Sequence, residues 1–566
     1  MKQKLQFILL KTIFFVCIVG YIIGFGYLFG ESNKLIGVAG ITATLMFLNR
    51  NLTSSLKRST LFFCAFYVFL GLCAYITTTS ITGGVIATFV SVFMIGYLFS
   101  SYFYKATYIA FGLAYIFMVL KPVTLIELPT RLAALVAAAL TLVIVQFFIN
   151  RQTFIKNTHQ LLSTIYEKLS QFDLEVEETV NSLLMIIRDH KNELGELTKK
   201  SMNVLNEVIV LERLILQLNT TFEDNEKETL STYFKLLAKS HQTKVSISED
   251  ELNERINVLK NRPDLIQTLK VLTDATNEVM LNQQLKEERL PSRLCYKTFV
   301  DQLKKERTTL SIRYVFGIRL GVALTVGIFI WQYFELSEGG WIAYTLLSLT
   351  TPLYEQSMEK MKDRLSATMI GAIITYVLFT VITDASMYPL IILLAGYVGS
   401  FMTTYKANVY CVTVSAIAVA VVGTSTPVVL LIMTRLVYVG VGALLTLFIA
   451  KAIYAYTELR RVGQLKYHYL RQLDELTSLV QSPKINVAEI NELYLKVRML
   501  STQIKMYNQL SESVHINLQQ TQEFIHQLIH VMADGQHAMT SHLINSIQSA
   551  QENLHHLMVS NQAYQE

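Results

Sequence analysis

Five basic residues stand inside or at the mouths of apolar runs: Lys105, Arg131, Arg319, Lys406 and Arg435. A charge at the centre of a spanning helix costs at least about 2.5–3.5 kcal/mol, so each calls for a reason. Arg435 lies about 10 Å into its run at about 1.5 Å per residue. Arg131 follows Pro129 near the start of another run, Arg319 lies early in a third, and Lys105 and Lys406 open two more. Lysines at such mouths ordinarily serve as anchors, and arginines reach backbone or headgroups. The sign of the charge says more. The acids Glu31, Glu127, Glu335, Glu338 and Asp384 fall in or beside the connections between runs, while the embedded charges are basic. Cations along a path lower the cost of moving an anion, and a guanidinium can grip a carboxylate with two parallel hydrogen bonds. The predicted chemistry is reversible binding of an organic anion. Trp341, Tyr344 and Tyr354, grouped around Pro352, could stack an aromatic substrate or belong to an interfacial belt. Glu355 is a candidate proton carrier, because a partly buried carboxyl holds its proton to higher pH. Its alternative role is a salt bridge at the rim.

Catalytic constellations are missing. There is no G-x-x-x-x-G-K-[ST] to cradle a nucleotide, no G-x-G-x-x-G and no G-x-S-x-G elbow. An enzyme is not expected, nor is a cofactor. His526 and His530, four apart with His537 on a similar face, have a spacing that could hold a metal. Solvated positions on a helical bundle account for them equally, and no metal is expected. Cys17, Cys64, Cys73, Cys295 and Cys411 form no C-x-x-C pair and read as small buried hydrophobes. The net charge of +6 is spread over the connections and does not point to nucleic acid.

The elements that must position these residues are helices. Hydrophobic residues make up 52% of the 566, charged residues 16%, and mean hydropathy is +0.38, which together define an integral membrane protein. Spans are predicted at 8–28, 35–49, 60–78, 81–100, 104–120 and 129–149, and again at 314–333, 340–353, 365–383, 387–403, 405–424 and 428–455. Two of these, 35–49 and 340–353, are too short for the roughly 30 Å hydrocarbon core. They fall at corresponding places in the two halves, the first followed by a polar, basic segment (Arg50–Thr60), the second by a charged segment (Glu355–Arg364), and each then by a full span. Paired short segments of this kind point to a transport path. The N-terminal run, preceded by Lys2 and Lys4 and lacking a cleavage-site pattern, is read as an uncleaved first helix. Between the halves, and after the second, the pattern changes to charged amphipathic helices such as Met202–Leu218, with breaks at Asn219-Thr220-Thr221 and Arg262-Pro263-Asp264.

Three echoes in the same order make the halves repeats: Tyr104-Lys105-Ala106 with Tyr405-Lys406-Ala407, Thr130-Arg131-Leu132 with Thr434-Arg435-Leu436, and Asn206-Glu207…Arg213 with Asn491-Glu492…Arg498. The expected fold is an all-α integral membrane protein of two parallel repeats, each of six transmembrane helices followed by a helical cytoplasmic domain. The boundaries are 1–149, 150–313, 314–455 and 456–566. Lys and Arg in alternate connections, including Arg50, Lys57, Arg58, Lys105, Lys360, Lys362, Arg364 and Lys406, put the N-terminus and both amphipathic domains inside the cell.

Gly340-Trp341, Thr345, Pro352, then Arg364 with Gly371 seven residues on, resemble the second-half signature of the fusaric-acid-resistance-like superfamily. That group includes bacterial aromatic acid exporters and, distantly, the plant aluminium-activated malate channels. The resemblance implies a bacterial inner-membrane exporter of small organic carboxylates, aromatic ones among them, coupled to the proton motive force. The plant channels further imply a basic path on the pseudo-two-fold axis, with Lys105 facing Lys406 and Arg131 facing Arg435. The alternatives are a passive organic-anion channel and a non-transporting scaffold or sensor. Expected partners are the anion, the bilayer and, optionally, a second copy of the chain.

Overall fold

The computed structural model describes residues 2–48, 56–100, 106–150, 153–194, 198–218, 222–248, 262–281, 311–382, 387–402, 404–423, 427–453 and 493–500, with isolated positions besides. The described residues form helices and no strand. They fall into two compact units.

The first unit collects the apolar helices. From the N-terminal segment come α1 (Lys2–Phe29), α2 (Lys34–Met46), α3 (Leu56–Thr79), α4 (Ile81–Phe99), α5 (Tyr108–Leu120) and α6 (Leu128–Asn150). The second unit is built from amphipathic helices: α7 (Thr153–Ser170), α8 (Glu177–Leu194), α9 (Lys199–Leu218), α10 (Asp224–Thr243) and α11 (Pro263–Leu281). The first unit resumes with α12 (Ile312–Tyr333), α13 (Gly340–Leu349), α14 (Tyr354–Val381), α15 (Tyr388–Phe401), α16 (Tyr405–Gly423) and α17 (Val428–Ala452). Among the described residues, eight of its helices are long and apolar enough to cross a membrane. Their outward faces are apolar too: Leu10, Val16 and Leu28 on α1 and Leu444 and Phe448 on α17 are exposed, as lipid contact requires.

Small residues let these helices approach closely. A Cβ on Gly96 of α4 would lie 2.9 Å from the Gly317 Cα of α12, so the two backbones touch. A Cβ on Gly112 of α5 would meet the Leu347 side chain of α13 at 2.4 Å. On the other side α1 meets α15, where the Thr12 and Tyr397 hydroxyls are 2.8 Å apart and Lys11 Nζ donates to the Ser400 carbonyl at 3.2 Å. Helix one of each apolar segment therefore packs against helix four of the other.

Two boundaries differ from the sequence expectation. The charged segment Glu355–Arg364 was expected as a connection; it is the first part of α14, which runs unbroken from Tyr354. Its Glu, Gln, Met, Lys and Arg residues are strong helix formers, and polarity alone does not end a helix. The short helix α13 stops at Leu349, ahead of Pro352 rather than at it, because proline excludes helical geometry from the residue before it.

Within the second unit, Asn219-Thr220-Thr221 lie outside the described residues, while the break at Arg262 is present: Pro263 opens α11, where its missing N–H costs nothing. Glu212 of α9 accepts hydrogen bonds from Tyr494 and Arg498, tying the tail segment 493–500 to α9 inside this unit.

Candidate functional site

The short helix α13 organises the candidate site at both its ends. At its C-terminal end, residues 350–352 leave the helix and their carbonyls lose intrahelical donors. Side chains replace them. Arg319, buried on α12, donates to the Thr351 carbonyl at 2.8 Å and the Pro352 carbonyl at 3.4 Å. Tyr108 of α5 donates its hydroxyl to the Thr350 carbonyl at 3.0 Å. Thr351 and Ser357 close the turn with hydroxyls 2.7 Å apart. Tyr354 and Glu355 follow, half-buried, at the start of α14, and Glu355 acts electrostatically on Arg319. Arg319 thus holds a helix break in place.

At the N-terminal end both tryptophans of the protein converge. The Trp331 ring lies where a Cβ on Gly339 would be, 2.3 Å from it, so only glycine fits there. Glu338 takes a left-handed φ of 59° and accepts the Trp341 indole N–H at 3.2 Å. Tyr344, one turn along α13, lies 5.3 Å from the Trp341 ring and 5.9 Å from Phe117 of α5. Over the Trp341 face sits Arg435 of α17, its guanidinium carbon 3.8 Å from the ring centroid. Arg435 is 2% exposed, and none of Nε, Nη1 and Nη2 has a hydrogen-bond partner among the described residues. Arg364 of α14, also buried, acts on it with like charge, and its Nε is likewise unpartnered. Two neighbouring details fix α17 here. Tyr438 donates to the Ser337 carbonyl at 3.0 Å, and a Cβ on Gly442 would come within 2.8 Å of the Thr345 Cβ.

In the other apolar segment, Arg131 also stands at the start of the short helix, α2, but its surroundings are closed. Nε donates to Asn33 Oδ1 at 2.9 Å, Nη1 to the Met118 and Lys121 carbonyls at 3.2 and 2.6 Å, and Nη2 to the Ser32 carbonyl at 3.1 Å. It clamps the ends of α2, α5 and α6 together.

The structure therefore brings Arg435, Trp341 and Tyr344 together at one end of α13, and Arg319, Pro352, Tyr354 and Glu355 at the other. Ten helical residues, about 15 Å, lie between. Lys406 is half-buried at the start of α16; Lys105 lies outside the described residues, as do His526, His530 and His537. Sequence reasoning did not single out Arg364, Asn33 or Glu338 as site residues. Arg364 was visible as a basic residue in a charged segment. Its inward placement follows from the helical continuation of α14 through that segment. Among the described residues no cluster of acids, histidines and cysteines could hold a metal.

The long apolar helices, with no strand among the described residues, define a multi-pass, helical membrane protein. Residues 324–449, which contain α13, α14 and Arg435, match the family described as fusaric acid resistance protein-like. Over 240 residues the chain is 23% identical to the uncharacterized protein slr1298 of Synechocystis sp. (strain ATCC 27184 / PCC 6803 / Kazusa), covering 41% of this chain and 32% of that protein. The match thus spans about a third of the relative's length. No solved structure matches the chain.

Proposed function

We propose that the protein exports small organic anions, aromatic carboxylates among them, across the bacterial inner membrane using the proton motive force, and that Arg435 on Trp341 is where the anion binds. One observation carries this reading: a buried guanidinium with five N–H donors and no hydrogen-bond partner among the described residues. A charge-assisted hydrogen bond contributes about 1.5–3 kcal/mol, and an unmade one leaves the desolvation cost uncompensated. A carboxylate entering beside Arg435 supplies the missing acceptors, and the Trp341 and Tyr344 rings offer a face for an aromatic body. Arg364 adds a second positive charge. Glu355, at the other end of α13 beside Arg319, is the candidate proton carrier.

The parallel two-repeat arrangement is part of this proposal. The reciprocal packing of α1 on α15 and α12 on α4 supports a two-fold relation, as does the placement of one arginine at the start of each short helix. Positive residues near Arg50–Arg58 and Lys406 favour the orientation with the second unit in the cytoplasm.

The test is flux in proteoliposomes loaded with 4-hydroxybenzoate or malate, with and without an imposed pH gradient, for wild type and Arg435→Ala. Gradient-driven movement that falls at least about tenfold in the variant is expected. Movement that follows voltage and ignores the pH gradient would make the protein a channel. Flux unchanged by Arg435→Ala would remove Arg435 from the path, and no flux of any anion would favour the scaffold.

A further inference from the structure

The second unit contains a buried polar cluster that the transport reading does not use. Glu207 of α9 is fully buried, and its Oε1 accepts three hydrogen bonds: from Tyr166 of α7 at 2.8 Å, His241 Nε2 of α10 at 2.8 Å and Thr276 of α11 at 2.9 Å. Its Oε2 has no partner among the described residues. His241 then places its other nitrogen, Nδ1, 2.9 Å from Nδ1 of His159 on α7, and both rings are buried. The Tyr166 ring stacks on His241, 5.5 Å away. Four helices therefore meet on one carboxylate and two imidazoles.

Hydrogen-bond arithmetic limits the protons this arrangement can hold. Tyr166 and Thr276 each offer only a hydroxyl proton, and with Glu207 ionised His241 Nε2 must donate as well. A 2.9 Å contact between two Nδ1 atoms requires one to donate and the other to offer its lone pair. When His241 is the imidazolium that compensates Glu207, His159 must be neutral. When both rings are protonated, two N–H groups point at each other and the contact cannot persist.

We propose that His159, His241 and Glu207 form a proton-sensitive latch, which holds α7, α9, α10 and α11 together at neutral pH and lets them part on acidification. The balance of the surroundings of His159 favours its neutral form. Burial, then the His241 ring across from it on α10, pushes its pKa down from 6.5 to about 4; Glu207 of α9 opposes this, and Lys244, just beyond α10, adds to it. For Glu207, burial alone acts to raise the carboxyl, but His241 and the three donors outweigh it and hold it below its ordinary value. The sign follows from linkage. The closed state binds the His159 proton more weakly than the open state, so the closed state is fully favoured above about pH 6.5. Its advantage falls about tenfold per pH unit from there to about pH 4. A rise in cytosolic acidity would thus loosen this unit under the orientation proposed above.

Hydrogen exchange of the α7 and α10 amides in the full-length protein in nanodiscs, corrected for intrinsic rates, tests this between pH 7.5 and 5.0. Wild-type protection is expected to be flat above about pH 6.5 and to fall about tenfold per unit below it. His159→Gln, which cannot take up a proton, should abolish the slope, and His159→Leu serves where the glutamine variant does not fold. A flat wild-type profile, which needs no variant, overturns the proposal, as does a slope that survives without His159. Neither result bears on whether Arg435 binds an anion.

Discussion

Two arginines in matching places, Arg131 and Arg435, have opposite hydrogen-bond surroundings, and their substitution should separate structure from binding. Arg131→Ala orphans the Ser32 carbonyl at the start of α2 and the Met118 and Lys121 carbonyls at the end of α5. Each buried polar group left unmet costs about 1–3 kcal/mol, so a clear drop in thermal stability is expected in detergent. Arg435→Ala removes a buried charge that has no hydrogen-bond partner among the described residues and should leave stability unchanged or raised, while the affinity for the proposed anion falls. A comparable stability loss in both variants would mean that Arg435 is also a structural clamp. Sequence showed both residues as embedded cations and set them in register. What distinguishes them was not legible there, because it depends on what each faces across the fold. Asn33 and a ring of carbonyls meet Arg131; an indole face meets Arg435.

At the scale of elements, α13 is a ten-residue helix whose position is imposed from outside. It is far shorter than the 12–15 residues at which isolated helices become even marginally stable, so packing must hold it. Arg319 and Tyr108 fix the carbonyls at one end, and α17 closes on the other through Gly442. Gly442→Val should force α17 away from Thr345, costing about 1–3 kcal/mol and raising the half-saturating anion concentration as Arg435 lifts from Trp341. Gly440, two residues earlier, has open space where its Cβ would be, so Gly440→Val is the matched control. It should stay within about 0.5 kcal/mol of wild type. Equal effects of the two variants would remove the close approach from the account. The short apolar run and its proline were readable from residue types alone, as was the glycine-tryptophan start. The helical start of α14 was not, because a charged run of good helix formers looks the same in a connection and in a helix that leaves the apolar layer. Arg319 as a latch was equally hidden, since its acceptors are backbone carbonyls some thirty residues away.

For the whole molecule, one contact bears directly on how many of the twelve described apolar helices cross the membrane. Eight meet the length and hydropathy required of a span; α2, α5, α13 and α15 are shorter. With only the eight crossing, Thr79, at the end of α3, and Ser337, after α12, fall on opposite sides of the bilayer. With all twelve crossing, they fall on the same side. Gln332 Nε2 of α12 donates to the Thr77 carbonyl of α3 at 3.2 Å, which brings those two ends together and supports twelve. Thr79→Cys and Ser337→Cys, each in a background with the native cysteines replaced, should therefore both react with a membrane-impermeant maleimide on intact cells. Asn225→Cys, exposed on α10, should react only after lysis. Protection of Thr79→Cys with labelling of Ser337→Cys would make α2 a re-entrant segment, and the parallel two-fold relation could not then hold. Labelling of Asn225→Cys on intact cells would reverse the orientation, and Arg435 would then stand near the cytoplasmic mouth and meet its anion early on the way out.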